Sequence, residues 1–199
     1  MAASPDVRPA VAADDDGLVA TLVRAFREDA LLNWAFRAGE GRERGWGVYF
    51  RTALELYRAS VVTLDTGLGC AIWVPPDKWR LSLGRELSLA PRIVQMLGFK
   101  RLVRGLGAVK KMEAQHPPER HHYLQVLGVD PTLQGQGQGS RLLAAGLEQV
   151  DRERLGAFLE TSNQRNLPLY RRHGFEVHST YDFGPGSPTL FGMWRPART

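Results

Sequence analysis

The chain has a single cysteine, Cys70, among 199 residues, so it can form no internal disulfide and build no Cys-x-x-Cys zinc or redox motif. No stretch approaches the ~18 consecutive apolar residues that a membrane-spanning helix requires. The opening Met1-Ala2-Ala3-Ser4-Pro5-Asp6 has neither the basic start nor the apolar centre of a signal peptide. These shortages lead to the expectation of a soluble, unprocessed, cytoplasmic protein with no membrane partner. Internal repeats and low-complexity tracts are also missing, which excludes solenoids and arrays.

What remains suits one compact unit. Hydrophobic residues make up 43% of the chain, enough for one sizeable core, and the length favours a single domain over residues 1–199. Lys and Arg number 26 against 21 Asp and Glu, a formal charge of +5 that suits a polyanionic or phosphorylated ligand without choosing among them.

Patterning predicts a strand at Val7 to Val11, then a helix headed by Asp14, Asp15 and Asp16 and running to about Ala30. Its stripe of Leu18, Leu22, Ala25 and Phe26 faces a core. A helix is expected over Val48 to Arg58, and a hairpin joins Val61–Leu64 to Cys70–Val74. Helical patterning over Leu81 to Gln115 is interrupted by Pro91, Gly98, Gly105 and Gly107. A β-α-β-α run follows: His122–Val129, Gly139–Arg154, Ala157–Thr161 and Asn166–His173. Phe175–Tyr181 and Leu190–Trp194 close the fold through the turn at 184–188.

The most informative segment joins the first strand and helix of that run: Leu127-Gly128-Val129, then Gln134-Gly135-Gln136-Gly137-Gln138-Gly139-Ser140. Alternating glycines keep Cβ atoms out of the way of a ligand, and the first amides of a helix have no internal acceptor. Such a turn can therefore cradle a pyrophosphate. The dinucleotide fingerprint fails because Ser140 stands where it needs glycine, and the Walker pattern fails for want of a Gly-Lys pair. A tight packing turn with no ligand is the alternative.

Gln134-x-x-Gly137-x-Gly139 after a strand resembles the Q/R-x-x-G-x-G/A signature of the GCN5-related N-acetyltransferase (GNAT) superfamily. Asn166 through Tyr170 to Gly174-Phe175 resembles its second conserved block, and Leu159-Glu160-Thr161-Ser162 looks most like the puromycin N-acetyltransferase branch. The resemblance implies the GNAT fold, of α/β (α+β) class: a mixed, mostly antiparallel sheet flanked by helices, whose fourth and fifth strands splay apart. It also implies acetyl-CoA as co-substrate, no metal, and transfer of acetyl to the primary amine of a small molecule by direct attack through a tetrahedral intermediate. The expected partners are that amine and, as monomer or homodimer, the chain itself.

Carried over residue by residue, the resemblance implies that Leu127, Gly128 and Val129 meet the pantetheine arm. Gln134, Gly135, Gln136, Gly137, Gln138, Gly139 and Ser140 would hold the pyrophosphate, with Asn166 or Asn163 and Tyr170 also against the coenzyme. Tyr170 is the candidate acid for the departing thiolate, or else an aromatic core anchor. Glu160 is the candidate general base, or else a carboxylate pointing to solvent or to a neighbouring His or Arg; His122 or a water could serve instead. Trp34, Trp73 and Tyr123 lie in segments expected near the acceptor, as do Phe36 and Trp79, although core packing would account for each. His116, His121 and His122 lack the companions of a metal site. Three readings stand beside this one: a protein or peptide acceptor, a coenzyme-A sensor without turnover, and a nucleic-acid or anionic-membrane binder using Arg92, Lys100, Arg101, Arg104, Lys110 and Lys111.

Overall fold

A computed structural model describes residues 5–36, 39, 41–80, 83–97 and 107–198. Its strands are β1 (Val7–Pro9), β2 (Val61–Leu64), β3 (Gly69–Val74), β4 (His121–Val129), β5 (Gly156–Thr161), β6 (Glu176–Tyr181) and β7 (Leu190–Arg195). They form one sheet in the order β1-β2-β3-β4-β5-β7-β6. Every neighbouring pair is antiparallel except β4 and β5. The helices are α1 (Asp15–Ala25), α2 (Ala30–Ala35), α3 (Arg42–Tyr57), α4 (Leu83–Leu97), α5 (107–113), α6 (Gln138–Arg152) and α7 (Leu167–Arg172). This is the mixed, mostly antiparallel sheet flanked by helices that the sequence resemblance implied.

Strand alternation divides the core between two faces. Cys70 and Ile72 of β3 turn toward Leu18 and Leu22 of α1 and Phe50 and Leu54 of α3. Ala71 and Trp73 turn the other way, toward Leu142, Leu143, Leu147 and Val150 of α6. Leu143, Leu147 and Val150 lie three or four residues apart with Leu142 beside the first, and that spacing seats α6 on the sheet. Gly146 completes the fit: a Cβ there would lie 1.9 Å from Trp73 Nε1, so only glycine lets helix and indole approach this closely.

Three expectations change. The helix expected to reach Ala30 stops at Ala25, where Phe26 leaves helical geometry (φ −100°, ψ 10°), and Asp29 (φ −69°, ψ 121°) then accepts the Leu32 amide and begins α2. The second helix begins at Arg42, earlier than its apolar run suggested. Pro91 lies inside α4 rather than interrupting it. Gly98 and Gly105 lie outside the described residues, as do Lys100, Arg101 and Arg104 of the basic face. Of the others on that face, Arg92 pairs with Glu55 at 2.6 Å and Lys111 with Asp182 at 3.9 Å.

Two irregularities position the site. Ile72 pairs with Val126 and Trp73 with Leu124, leaving Gln125 as an extra residue on β4. Such a bulge bends the strand, and Gln125 turns toward α3, its amide 3.5 Å from the Tyr49 hydroxyl. The parallel pairing of β4 with β5 runs from His121/Gly156 to Leu124/Leu159 and goes no further. From Gln125 to Val129 that edge of β4 has no strand neighbour, which opens a V between the two strands.

Candidate active site

A cleft of about 780 Å³ occupies the V. Leu127, Gly128 and Val129 form one wall; Gln134, Gly135, Gly137, Gln138, Gly139 and Ser140 form its floor. Ser162, Asn163, Asn166, Leu169 and Tyr170 approach from the end of β5 and from α7, and Phe26 and Asp29 approach from the end of α1.

The turn before α6 has the geometry of an anion cradle. Gly135 (φ 74°) and Gly137 (φ 81°) adopt left-handed backbone, and a Cβ at either would meet no atom within 4 Å. Their conformation favours glycine, and the space above them is open to a ligand. Arg141 donates to the Gly137 carbonyl at 3.2 Å, so the amides of Gly139 and Ser140 precede the first intrahelical bond, as helix-start amides that can meet phosphate oxygens do. His173 Nε2 lies 2.6 Å from Ser140 Oγ, and Gln134 donates to the Val129 carbonyl at 3.0 Å. Arg165 and Arg172 add positive charge to the same cleft. Gln136 does not line it; its side chain donates to the Thr132 carbonyl at 2.9 Å. Gly128 has a different task, since a Cβ there would lie 2.4 Å from Leu22 and 3.0 Å from Phe26; glycine lets α1 close over β4.

Of the two asparagines, Asn163 spends its side-chain oxygen on the Arg165 amide at 3.0 Å, whereas Asn166 makes no capping bond. Tyr170 is buried, at 6% exposure, with its ring edge-on to Phe175. Burial, reinforced by the negative field of Asp29, raises its phenol pKa above the ordinary value and keeps the proton on. Tyr170 is thus a core residue and a cleft residue together.

Glu160 lies on the opposite face of β5 from Leu159, apart from the residues that line the cleft. Its carboxylate accepts hydrogen bonds from Tyr123 Oη at 3.0 Å and from Tyr181 Oη. Desolvation raises its pKa to about 7, against the pull of those two bonds. Burial likewise raises Tyr49 to about 12 and Tyr123 well above the ordinary phenol value. Glu160 therefore titrates near neutrality while its tyrosine neighbours stay protonated.

The other sequence candidates are dispersed. His122 is buried and pairs with Glu153 at 2.8 Å. His116 and His121 bond each other at 2.9 Å, and burial lowers the pKa of His116 to about 3. Among the described residues no group of three or more His, Cys, Asp or Glu is placed to hold a metal, and no helix is long and apolar enough to cross a membrane. Trp34 stacks on Phe183 at 5.3 Å, whose ring meets Tyr181. Trp79 stacks on His116 at 3.9 Å, and Phe36 packs against Tyr49 in the core. Trp73, expected near the acceptor, is 3% exposed and packs in the core against α6. Sequence reasoning missed Phe26, Asp29, Ser162, Arg165 and Arg172. Only the excess of basic residues hinted at the arginines, and nothing local marked the others.

A left-handed glycine turn, an unpaired strand edge and a buried phenol thus meet in one cleft. Residues 100–175 match the family described as Acetyltransferase (GNAT) family. Over 67 residues the chain is 39% identical to the mycothiol acetyltransferase of Propionibacterium freudenreichii subsp. shermanii, a match that takes in 32% of this chain and 22% of that protein's length. Among solved structures, a histone acetyltransferase HPA2-related acetyltransferase from Corynebacterium glutamicum superposes with a TM-score of 0.75 at 24% identity, over 99% of this chain and 98% of the other. Arylalkylamine N-acetyltransferase 2 from Aedes aegypti does so with a TM-score of 0.67 at 15% identity, over 98% and 100%; both likenesses are of the fold. The match over residues 100–175, the partial relative and the shared fold all point toward acetyltransferases, a likeness consistent with an acyltransferase. The puromycin N-acetyltransferase branch is not borne out, since the relative carries another name.

Proposed function

We propose that this chain is an acetyl-CoA-dependent N-acetyltransferase whose acceptor is the primary amine of a small molecule. The observation that carries this reading is the convergence of the glycine cradle, the open edge of β4 and Tyr170 on one cleft. Amides of Gln138 to Ser140 take the pyrophosphate, with Arg165 and Arg172 adding charge complementarity. The free edge of Leu127 to Val129 pairs with the pantetheine amides as another strand would, and Asn166 reaches the same arm.

The chemistry is one direct transfer. The amine gives a proton through a water to Glu160, and its lone pair attacks the thioester carbonyl carbon. The oxyanion so formed takes a hydrogen bond from a free N–H on the splayed edge of β4. As the C–S bond breaks, Tyr170, held protonated by burial, donates its hydrogen bond to the departing thiolate. The proton on Glu160 leaves to solvent, and a pKa of about 7 suits both of its steps. Coenzyme A and the acetylated amine balance the reaction.

The test follows thiol release from acetyl-CoA with a panel of amines: puromycin and other aminonucleosides, polyamines, aminoglycosides and peptides. Amine-dependent release with a small-molecule amine is the expected result. Release with peptides alone would move the acceptor to a protein, and coenzyme binding without release from any amine would indicate a sensor.

A further inference from the structure

Asp29 stands where the chain leaves α1 and enters α2. One carboxylate oxygen accepts the Leu32 amide at 2.8 Å, and the other meets Ser162 Oγ at 3.4 Å, just beyond the end of β5. It lines the same cleft as Tyr170, and its field reaches the Tyr170 phenol. The basic residues that precede it are engaged elsewhere: Arg24 pairs with Asp130 at 2.7 Å, and Arg27 with Glu43 at 3.0 Å. Among the described residues no cation forms an ion pair with Asp29.

A carboxylate can accept about four hydrogen bonds, and Asp29 has spent one good one and one long one. Held partly out of water without a counter-charge, it is costly unless a cation arrives. Arg165 and Arg172 bring positive charge to a cleft whose carboxylates are Glu28 and Asp29. Phosphates have their partners in the arginines and the glycine cradle; the Asp29 carboxylate has no cationic partner among the described residues.

Resting on the acetyltransferase reading above, we infer that Asp29 binds the acceptor's ammonium group, and that the substrates are primary aliphatic amines that arrive protonated rather than weakly basic aromatic amines. No bond is made or broken at Asp29. It holds the ammonium in the cleft until one proton is lost to solvent; the neutral amine then attacks as above, giving its second proton through a water to Glu160.

Asp29→Asn tests this, because asparagine caps a helix as well as aspartate does and α2 survives while the charge goes. Thiol release is measured with tyramine, spermidine and kanamycin as alkylammonium acceptors, and with aniline and hydroxylamine as amines uncharged at neutral pH. The expected result is turnover of at least one alkylammonium acceptor by the unaltered protein. In Asp29→Asn its KM should rise about 30-fold or more, with kcat and the acetyl-CoA Kd little changed, and Asp29→Glu should recover part of the loss. An unchanged KM would overturn the inference. Equal loss of acetyl-CoA affinity, a preference for the uncharged amines, or no turnover of any alkylammonium acceptor by protein that binds acetyl-CoA would do the same. Failure to bind acetyl-CoA would instead overturn the reading on which the inference rests.

Discussion

Replacing Glu160 by glutamine keeps the shape of the side chain and removes a carboxylate that burial holds at a pKa of about 7, against an ordinary value of 4.5. A gap of this size corresponds to about 3 kcal/mol of linkage between protonation and folding. Because the folded-state value is the higher one, the stabilisation is fully present below about pH 4.5 and is lost as pH rises through about 7. Chemical denaturation at about pH 5 and about pH 8 should therefore show the unaltered protein losing up to about 3 kcal/mol that Glu160→Gln retains, because glutamine has no proton to give up and the Tyr123 and Tyr181 hydroxyls can reorient to it. The kinetic consequence runs the other way. The base must be ionised to act, so kcat/KM of the unaltered enzyme rises through about pH 7, whereas Glu160→Gln should lose that limb and about 10²- to 10⁴-fold in rate. The acceptor's own ionisation would persist in both profiles. A variant that keeps the limb and the rate would refute Glu160 as the base, and an unchanged pH dependence of stability would refute its desolvation.

Tyr170→Phe should lower kcat about 10²-fold or more while the acetyl-CoA Kd stays within about threefold, because the ring still packs and only the donor is gone. Equal damage to both would make Tyr170 a packing residue. Gly146→Ala should destabilise the fold by about 1–3 kcal/mol, since the new Cβ falls 1.9 Å from the Trp73 indole; thermal melting reads this, and an unchanged Tm would mean that α6 and Trp73 do not meet as described.

The stretch proposed to carry the chemistry was legible as structure in the sequence because its signals are local. Alternating glycines between an apolar run and an amphipathic helix mark the turn into α6, and β4, α6, β5 and α7 fall within a residue or two of where their patterns placed them. What escaped depends on contacts between distant segments. Asp29 starts α2 with a side-chain bond, and its proximity to Ser162 and Tyr170 exists only once α1 has packed on β4. Trp73 was expected near the acceptor because it is a tryptophan in a strand beside the cleft. The strand face it occupies, toward α6, is set by sheet register that composition does not encode. The apolar run of 48–58 misses the start of α3, whose first residues, Arg42, Glu43 and Arg44, are polar and partly exposed.

The central claim is that the turn before α6 is a coenzyme cradle. Calorimetric titration with acetyl-CoA of the unaltered protein and of Gly137→Ala tests it most directly, because Gly137 sits at φ 81° with open space above it. Left-handed backbone costs a residue with a Cβ about 1–2 kcal/mol, and that Cβ would project into the cradle. The account predicts one-site binding that weakens about tenfold or more in the variant, with the variant still folded. No binding to the unaltered protein, or equal affinity in a folded Gly137→Ala, would contradict it.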